Sequence, residues 1–185
     1  MKKIIIGLFV IAIIFTSTLI YNHKQQPTKD NVLSVTNNWF PQTEEVYLVR
    51  KIDGEWLTIF RSQRSITIAR LKQNWLGLWK IKNETGIEAP LASIYHPPGK
   101  NDKIVWSSSE DGGGTGIVYY FGQVINPKIQ KIKIETTKNI YEYVPLIHTN
   151  GKRFFFKKVK GQLVIPVNIK GFSRSGKLLF SSIPY

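Results

Sequence analysis

The chain has 185 residues and carries 26 Lys or Arg against 12 Asp or Glu, a formal charge of +14, with no cysteine. The missing cysteines exclude a lipoprotein held by a lipidated thiol and argue against a disulfide-stapled secreted domain. Excess charge of this size points to polyanions as partners, or to nothing more than a soluble basic surface.

Residues 4 to 21, IIIGLFVIAIIFTSTLIY, are an uncharged run of eighteen behind Lys2 and Lys3. At about 1.5 Å per residue that run approaches the roughly 30 Å of a hydrocarbon layer. Lysines held on the cytoplasmic side leave the rest of the chain outside. The expectation is a single-pass membrane protein, N terminus cytoplasmic, contacting the membrane through residues 4–21. A cleaved signal peptide, releasing the remainder as a secreted protein, is the alternative; the run is long for one, and no A-x-A-like site follows. An exported chain rich in Lys, Ile and Asn and lacking cysteine has the composition of a low-GC Gram-positive protein.

Residues 22–42 are polar and aperiodic and read as a tether. From 43 to 116 the pattern is that of an antiparallel meander. Asp53 and Gly54 separate two apolar runs, and this pair tolerates the positive φ that a tight hairpin needs. Ile66 and Ile68 then alternate with polar neighbours, and a turn near Asn74 leads into a strand across Leu76, Leu78 and Lys80. The Ser- and Gly-rich loop NDKIVWSSSEDGGGTG ends this first module.

Residues 117–185 read as a second, basic module. Ile132 and Ile134 alternate with Lys131, Lys133 and Glu135. Ile165, Val167 and Ile169 alternate with Val164, Pro166, Asn168 and Lys170. Both show the period of two that buries one sheet face. Asn150 and Gly151 mark another hairpin, after which Phe154 and Phe156 are expected inward and Phe155 outward. The fold expected is all-β: an antiparallel meander followed by a small β-sandwich-like module, with one N-terminal transmembrane helix. Its segments are 1–21 anchor, 22–42 tether, 43–116 first β module and 117–185 second β module.

The stretch GFSRSGKLLF spaces Gly171, Gly176 and Lys177 like a phosphate-binding loop. Such a loop needs a helix behind it and Ser or Thr after the lysine. Here Leu178 follows, so the stretch reads as a strand to Phe172, a turn through Ser173 to Gly176 and a last strand from Leu178 to Ser181, without nucleotide. His23, His96 and His148 lie far apart without a carboxylate cluster, and no metal site or cofactor is expected. Ser107, Ser108 and Ser109 lack a nucleophile elbow, and the acid pairs Glu44–Glu45 and Glu110–Asp111 suit no glycosidase if they lie on strands, where neighbours diverge. GKRFFFKKVKG mixes bases and aromatics, but a single outward ring, Phe155, argues against nucleic acid. Of Trp39, Trp56, Trp75, Trp79 and Trp106, most are expected in the core; Trp75, beside a turn, is the one expected at the surface.

Residues 22–122 hold twelve Lys or Arg against ten Asp or Glu, whereas residues 123–185 hold twelve against two. The candidate polyanion-binding residues are therefore Lys128, Lys131, Lys133, Lys152, Arg153, Lys157, Lys158, Lys160, Arg174 and Lys177. Without a catalytic constellation, the chain reads as a membrane-anchored extracytoplasmic β protein that binds at the cell envelope, with anionic wall polymers or lipid headgroups as ligands. A regulator or partner-binding module acting on a membrane or secreted protein through Trp75 is the alternative, and an envelope hydrolase comes third.

The stretches IARLKQNWLGLWKIKN, YYFGQVINPKIQKIKIE, GKRFFFKKV and IKGFSRSGKLL, in this order behind an apolar segment, resemble small exported or membrane-anchored proteins of Bacillus-like bacteria. Two elements depart from that pattern: Leu78 replaces an aromatic in Gly77-Leu78-Trp79-Lys80, and the last turn, Arg174 to Lys177, lacks the usual acid. The resemblance spans residues 44–181; it implies an all-β exported module and transfers no activity and no site.

Overall fold

The computed structural model describes residues 2–112 and 114–183, without the side chain of Tyr143. The chain is mostly β, with every strand pairing antiparallel and no closed barrel. Sheet A is the meander: β1 (Thr43–Ile52), β2 (Glu55–Ser62), β3 (Ser65–Gln73) and β4 (Trp79–Ile81) pair in chain order, and β5 (Ala92–Tyr95) pairs with the first half of β3. Sheet B has the order β10 (Leu146–Thr149), β11 (Lys152–Lys160), β7 (Ile117–Val124), β6 (Ile104–Glu110). Sheet C has the order β13 (Leu178–Ser181), β12 (Val167–Phe172), β8 (Lys131–Thr136), β9 (Ile140–Val144).

The three sheets stack with B in the middle. One core lies between A and B, where Leu57, Ile59, Ile66 and Ile68 meet Tyr119, Phe121, Phe154 and Phe156. A second lies between B and C, where Val118, Tyr120 and Phe155 meet Ile132, Ile134 and Ile169. Sheet B is thus covered on both faces, and its strands bury consecutive residues rather than alternate ones. Phe154, Phe155 and Phe156 are all buried, which corrects the outward placement of Phe155.

The outer face of sheet A is also covered. The segment read as a tether holds a helix, α2 (Lys29–Val35), started by Thr28 and Asn31, each side chain bonding the other's backbone N–H. Its Val32, fully buried, packs with Val46, Phe60, Ala69 and Leu71. Trp39, Trp56 and Trp79 pack at the margin of this cluster, and Trp106 at that of the second core.

The hairpin turns follow local chemistry. Asp53 (φ 49°) and Gly54 (φ 85°) close β1 onto β2, and Asn150 (φ 46°) with Gly151 (φ 70°) close β10 onto β11. After Phe172 the chain turns, with Gly176 donating to the Ser173 carbonyl (3.1 Å) and Ser173 to that of Lys177 (2.9 Å), before β13 returns. Two expected strands are shorter than the alternation suggested. Residues 74–78 are a turn fastened by the Asn74 carboxamide, which accepts from the Leu76 and Leu78 N–H groups at 3.0 Å each, leaving only Trp79–Ile81 as strand. Ile165 lies outside β12 and is exposed.

The apolar segment is a helix, α1 (Lys2–Lys24), long and apolar enough to cross a membrane and with no buried residue. Its last turn meets the β domain. The Asn22 carboxamide donates to the Leu76 carbonyl (3.2 Å), and Gln73 donates to the Asn22 carbonyl (2.8 Å). The helix therefore leaves from the end of sheet A that carries the β3–β4 turn, called the near end below.

Candidate functional site

Strand register sorts the ten candidate cations by position. Glu55, which pairs with Arg70 near the β1–β2 hairpin, meets Lys158 late in β11, while Tyr47, in β1, meets Lys152 at the start of β11. Sheets A and B thus run aligned, with Lys158 and Lys160 towards the near end and Lys152 at the far end. Sheet C follows them: Arg153 reaches the carbonyls of Asn126 and Ile129, just before β8, whereas Tyr141, opposite the end of β8, packs on Tyr120.

Four of the ten are committed to holding the fold. Lys158 bridges Glu55 (3.1 Å) and Glu84 (2.5 Å). Lys133 pairs with Glu135 (3.1 Å) and Glu142 (3.2 Å) on the outer face of sheet C, where Lys170 also pairs with Glu135 (2.6 Å). Lys152 lies over the Tyr47 ring, 5.5 Å from its centroid. Arg153 donates to the carbonyls of Asn126 and Ile129, both at 2.6 Å; burial holds its pKa below the ordinary arginine value. Lys157 is half-buried opposite Tyr120, and Lys160 is exposed at the near end beside a recess it shares with Lys138 and Tyr141.

The remaining four, Lys128, Lys131, Arg174 and Lys177, come together. Lys131 is paired with Phe172, Gln130 donates its backbone N–H to the Phe172 carbonyl (2.8 Å), and Phe172 is paired with Leu178. That register places the Asn126–Ile129 turn, the first residue of β8 and the Ser173–Lys177 turn side by side at the far end of sheet C. All four side chains are exposed, and none has a hydrogen bond or ion pair among the described residues. Lys131 faces Phe172 and not another cation, and the neighbouring strand begins at Leu178, so the four charges share one end of the sheet without being direct cross-strand partners; like charges gathered there raise the local positive potential, which favours an anion. Shallow recesses flank it, one lined by Lys131, Val144 and His148, the other by Lys103, Leu178 and Phe180. Arg153 braces the turn that carries Lys128, although it is itself withdrawn from solvent.

The sequence reading missed a half-buried charge cluster, built on a buried arginine, at the near end. Arg70, 2 % exposed, follows Ile66 and Ile68 on the inner face of β3. Its guanidinium donates to Glu55 (2.9 Å), to Glu84 (2.7 Å) and to the carbonyls of Lys82 and Asn83. Lys158 from sheet B closes the quartet, and the Tyr119 hydroxyl donates to Glu84 (3.1 Å). Burial works against the charged form of Glu84, but the bonds from Lys158 and Arg70 outweigh it and pull its pKa down to about 2. Burial, then Glu84, pushes the Tyr119 phenol well above its usual value. Two cations and two anions cancel, so the quartet fastens sheet A to sheet B and presents no net charge to a ligand. Continuing the period of two from Ile66 and Ile68 to Arg70 would have flagged it, since an inward arginine requires inward acids.

Of the residues considered for catalysis, the Ser109 hydroxyl donates to the Leu91 carbonyl (2.5 Å), and Asp111 is buried and accepts from Thr115 (3.0 Å) while Glu110 is exposed. No group of three His, Asp or Glu suited to a metal ion occurs among the described residues. Trp75 stands out on the β3–β4 turn, 73 % exposed. No protein-family model, no curated protein and no solved structure matches the chain. The functional reading rests on the chain's own geometry.

Proposed function

We propose that the protein is a membrane-anchored, extracytoplasmic β domain that binds an anionic polymer of the bacterial envelope through Lys128, Lys131, Arg174 and Lys177. The observation that carries this reading is the gathering of four uncommitted cations from two separate stretches, 128–131 and 174–177, at one end of sheet C. Their place supports a polymer over the anchoring bilayer. The nine residues of β11 run from Lys152 to Lys160, and at about 3.3 Å per step the basic end stands on the order of 25–30 Å from the end that receives α1. With the strands upright on the bilayer, a phosphate-rich wall polymer reaches that height and the lipid headgroups around the helix do not. Lys2 and Lys3 before the apolar helix support the outward orientation of the domain.

The test is sedimentation of the detergent-solubilised chain with purified Gram-positive walls, with and without teichoic acid, across a salt series. Binding that needs the teichoic acid, fades with salt and is lost when all four residues are replaced by Gln is the expected result. Equal binding by the fourfold variant, or none by the native chain, overturns the reading.

A further inference from the structure

We infer that the β3–β4 turn is a membrane foot: Trp75 and Leu78 enter the headgroup region of the bilayer that holds α1, and Lys72 and Lys80 meet its anionic lipids. The inference rests on α1 being a retained membrane span; it is independent of what the far end binds.

The level of the turn is set by its contacts with the helix. The apolar run of α1 ends at Tyr21, before Asn22, His23 and Lys24, which places the residues just after it at the boundary between hydrocarbon and headgroups. Asn22, the next residue, is hydrogen-bonded in both directions, to the Leu76 carbonyl and from Gln73. Gly77 fits so closely that a Cβ there would stand 2.7 Å from the Asn22 Cβ and 2.9 Å from His23 Nδ1. Asn74 to Leu78 therefore lie at the height of Asn22, whatever the tilt of the helix.

What the turn exposes suits that height. Trp75 is 73 % exposed and Leu78 48 %, whereas the other four tryptophans are partly buried in the protein. An indole with an apolar body and an N–H donor is the side chain favoured at the membrane–water boundary, and Tyr21 on α1 is a second aromatic at this level. Just behind the turn, Lys72 on β3 and Lys80 on β4 are paired directly opposite each other and exposed. Neither has an ion pair or hydrogen bond among the described residues, so two like charges stand side by side at the height of the lipid phosphates. From the turn back along β3 and β4, an apolar and aromatic tip is followed by a cationic collar, the order in which a bilayer presents boundary and headgroup.

The absence of cysteine makes the test direct. Single variants Trp75→Cys, Ile11→Cys and Lys128→Cys of the full chain carry a spin label in vesicles of phosphatidylcholine with or without phosphatidylglycerol. Collision with oxygen is compared with collision with a water-soluble nickel complex. The expected result is a deep label at 11, an aqueous one at 128, and at 75 a shallow label that loses nickel accessibility. Anionic lipid should deepen it, and Lys72→Gln with Lys80→Gln should cancel that deepening. A label at 75 as aqueous as that at 128, beside a deep label at 11, overturns the foot and leaves the anchor standing. An aqueous label at 11 removes the anchor and the foot together. Dipolar broadening between labels at 75 that vanishes on dilution with unlabelled chain assigns the turn to self-association and also overturns the foot. Equal depth in both vesicle types removes the two lysines from it.

Discussion

Phe155 stands directly opposite Gly122 in the middle sheet, and its ring fills the space that a β-carbon at 122 would need. A Cβ there would also come within 2.7 Å of the Val105 carbonyl oxygen. The glycine is required by a neighbour's bulk, since its backbone is in an ordinary strand conformation. Gly122→Ala is expected to destabilise the chain by about 1–3 kcal/mol through overpacking, and Phe155→Ala by about 3–5 kcal/mol through the cavity it leaves. Urea unfolding of the chain in detergent measures both, and an unaffected Gly122→Ala midpoint would contradict the close approach.

The Arg70 quartet predicts an acid limb. The Glu84 pKa is depressed in the folded chain to about 2, so its contribution is fully present above the unfolded carboxylate value near 4.5 and is lost as pH falls from there through about 2. The shift is equivalent to at most about 3 kcal/mol. Glu84→Gln should remove this limb from the stability–pH curve. At neutral pH the same variant should cost up to about 3 kcal/mol, because it leaves Arg70 and Lys158 with only Glu55 as counter-charge. Parallel curves for variant and native chain below pH 5 would refute the assignment.

Substitutions on sheet C should separate by position. Lys131→Gln and Lys177→Gln are expected to weaken polyanion binding by about fivefold each, the equivalent of roughly 1 kcal/mol per surface cation. Lys133→Gln should change binding little, because Glu135 and Glu142 already neutralise that lysine. Arg153→Met should weaken binding although its guanidinium is withdrawn, by freeing the Asn126–Ile129 turn that holds Lys128. Co-sedimentation at fixed salt distinguishes these cases; a uniform loss across all four would mean that only total charge counts.

Gly77→Ala tests how firmly α1 is joined to the β domain. Gly77 has φ +75° and no room for a methyl beside Asn22, so the substitution should detach the last turn of the helix from the β3–β4 turn while leaving the three sheets intact. Hydrogen exchange should speed up at residues 74–78 and stay unchanged in β7 and β11. Equal exchange in both variants would show that the helix end is not seated there.

What was legible in the sequence was local. Asp53–Gly54, Asn150–Gly151 and the turn from Ser173 to Gly176 could be placed because the conformations they adopt depend on the residues themselves. The all-β class followed from the turns together with the alternation at Ile132, Ile134, Val167 and Ile169. The layering did not follow. Alternation presumes one buried face, and three adjacent buried phenylalanines betray a sheet covered on both. The tether hid α2 because seven residues give too short a period to read, and only Val32 buries fully. The candidate cations were found by composition, but which of them stay free depends on partners as distant as Glu55 and Glu84 for Lys158. Trp75 was picked out correctly as a surface residue, whereas its neighbourhood with Asn22, 53 positions earlier, needed the folded chain.

Sheets B and C are interleaved along the chain: β6 and β7 belong to B, β8 and β9 to C, β10 and β11 to B again, β12 and β13 to C. A chain growing from its N terminus can complete the hairpins of sheet A early, yet their inner face stays bare until β7 and β11 have been made. Sheet C cannot finish until after sheet B has, and β8 must wait for β12, which begins some thirty residues after β8 ends. For most of its emergence, then, the molecule is an apolar surface without its complement, and its late segments decide whether the early ones are sheltered. A nascent chain arrested just after Thr149 would display three unfinished edges at once, those of β7 and β10 waiting for β11 and that of β8 waiting for β12, making that the point at which it most needs protection from its neighbours.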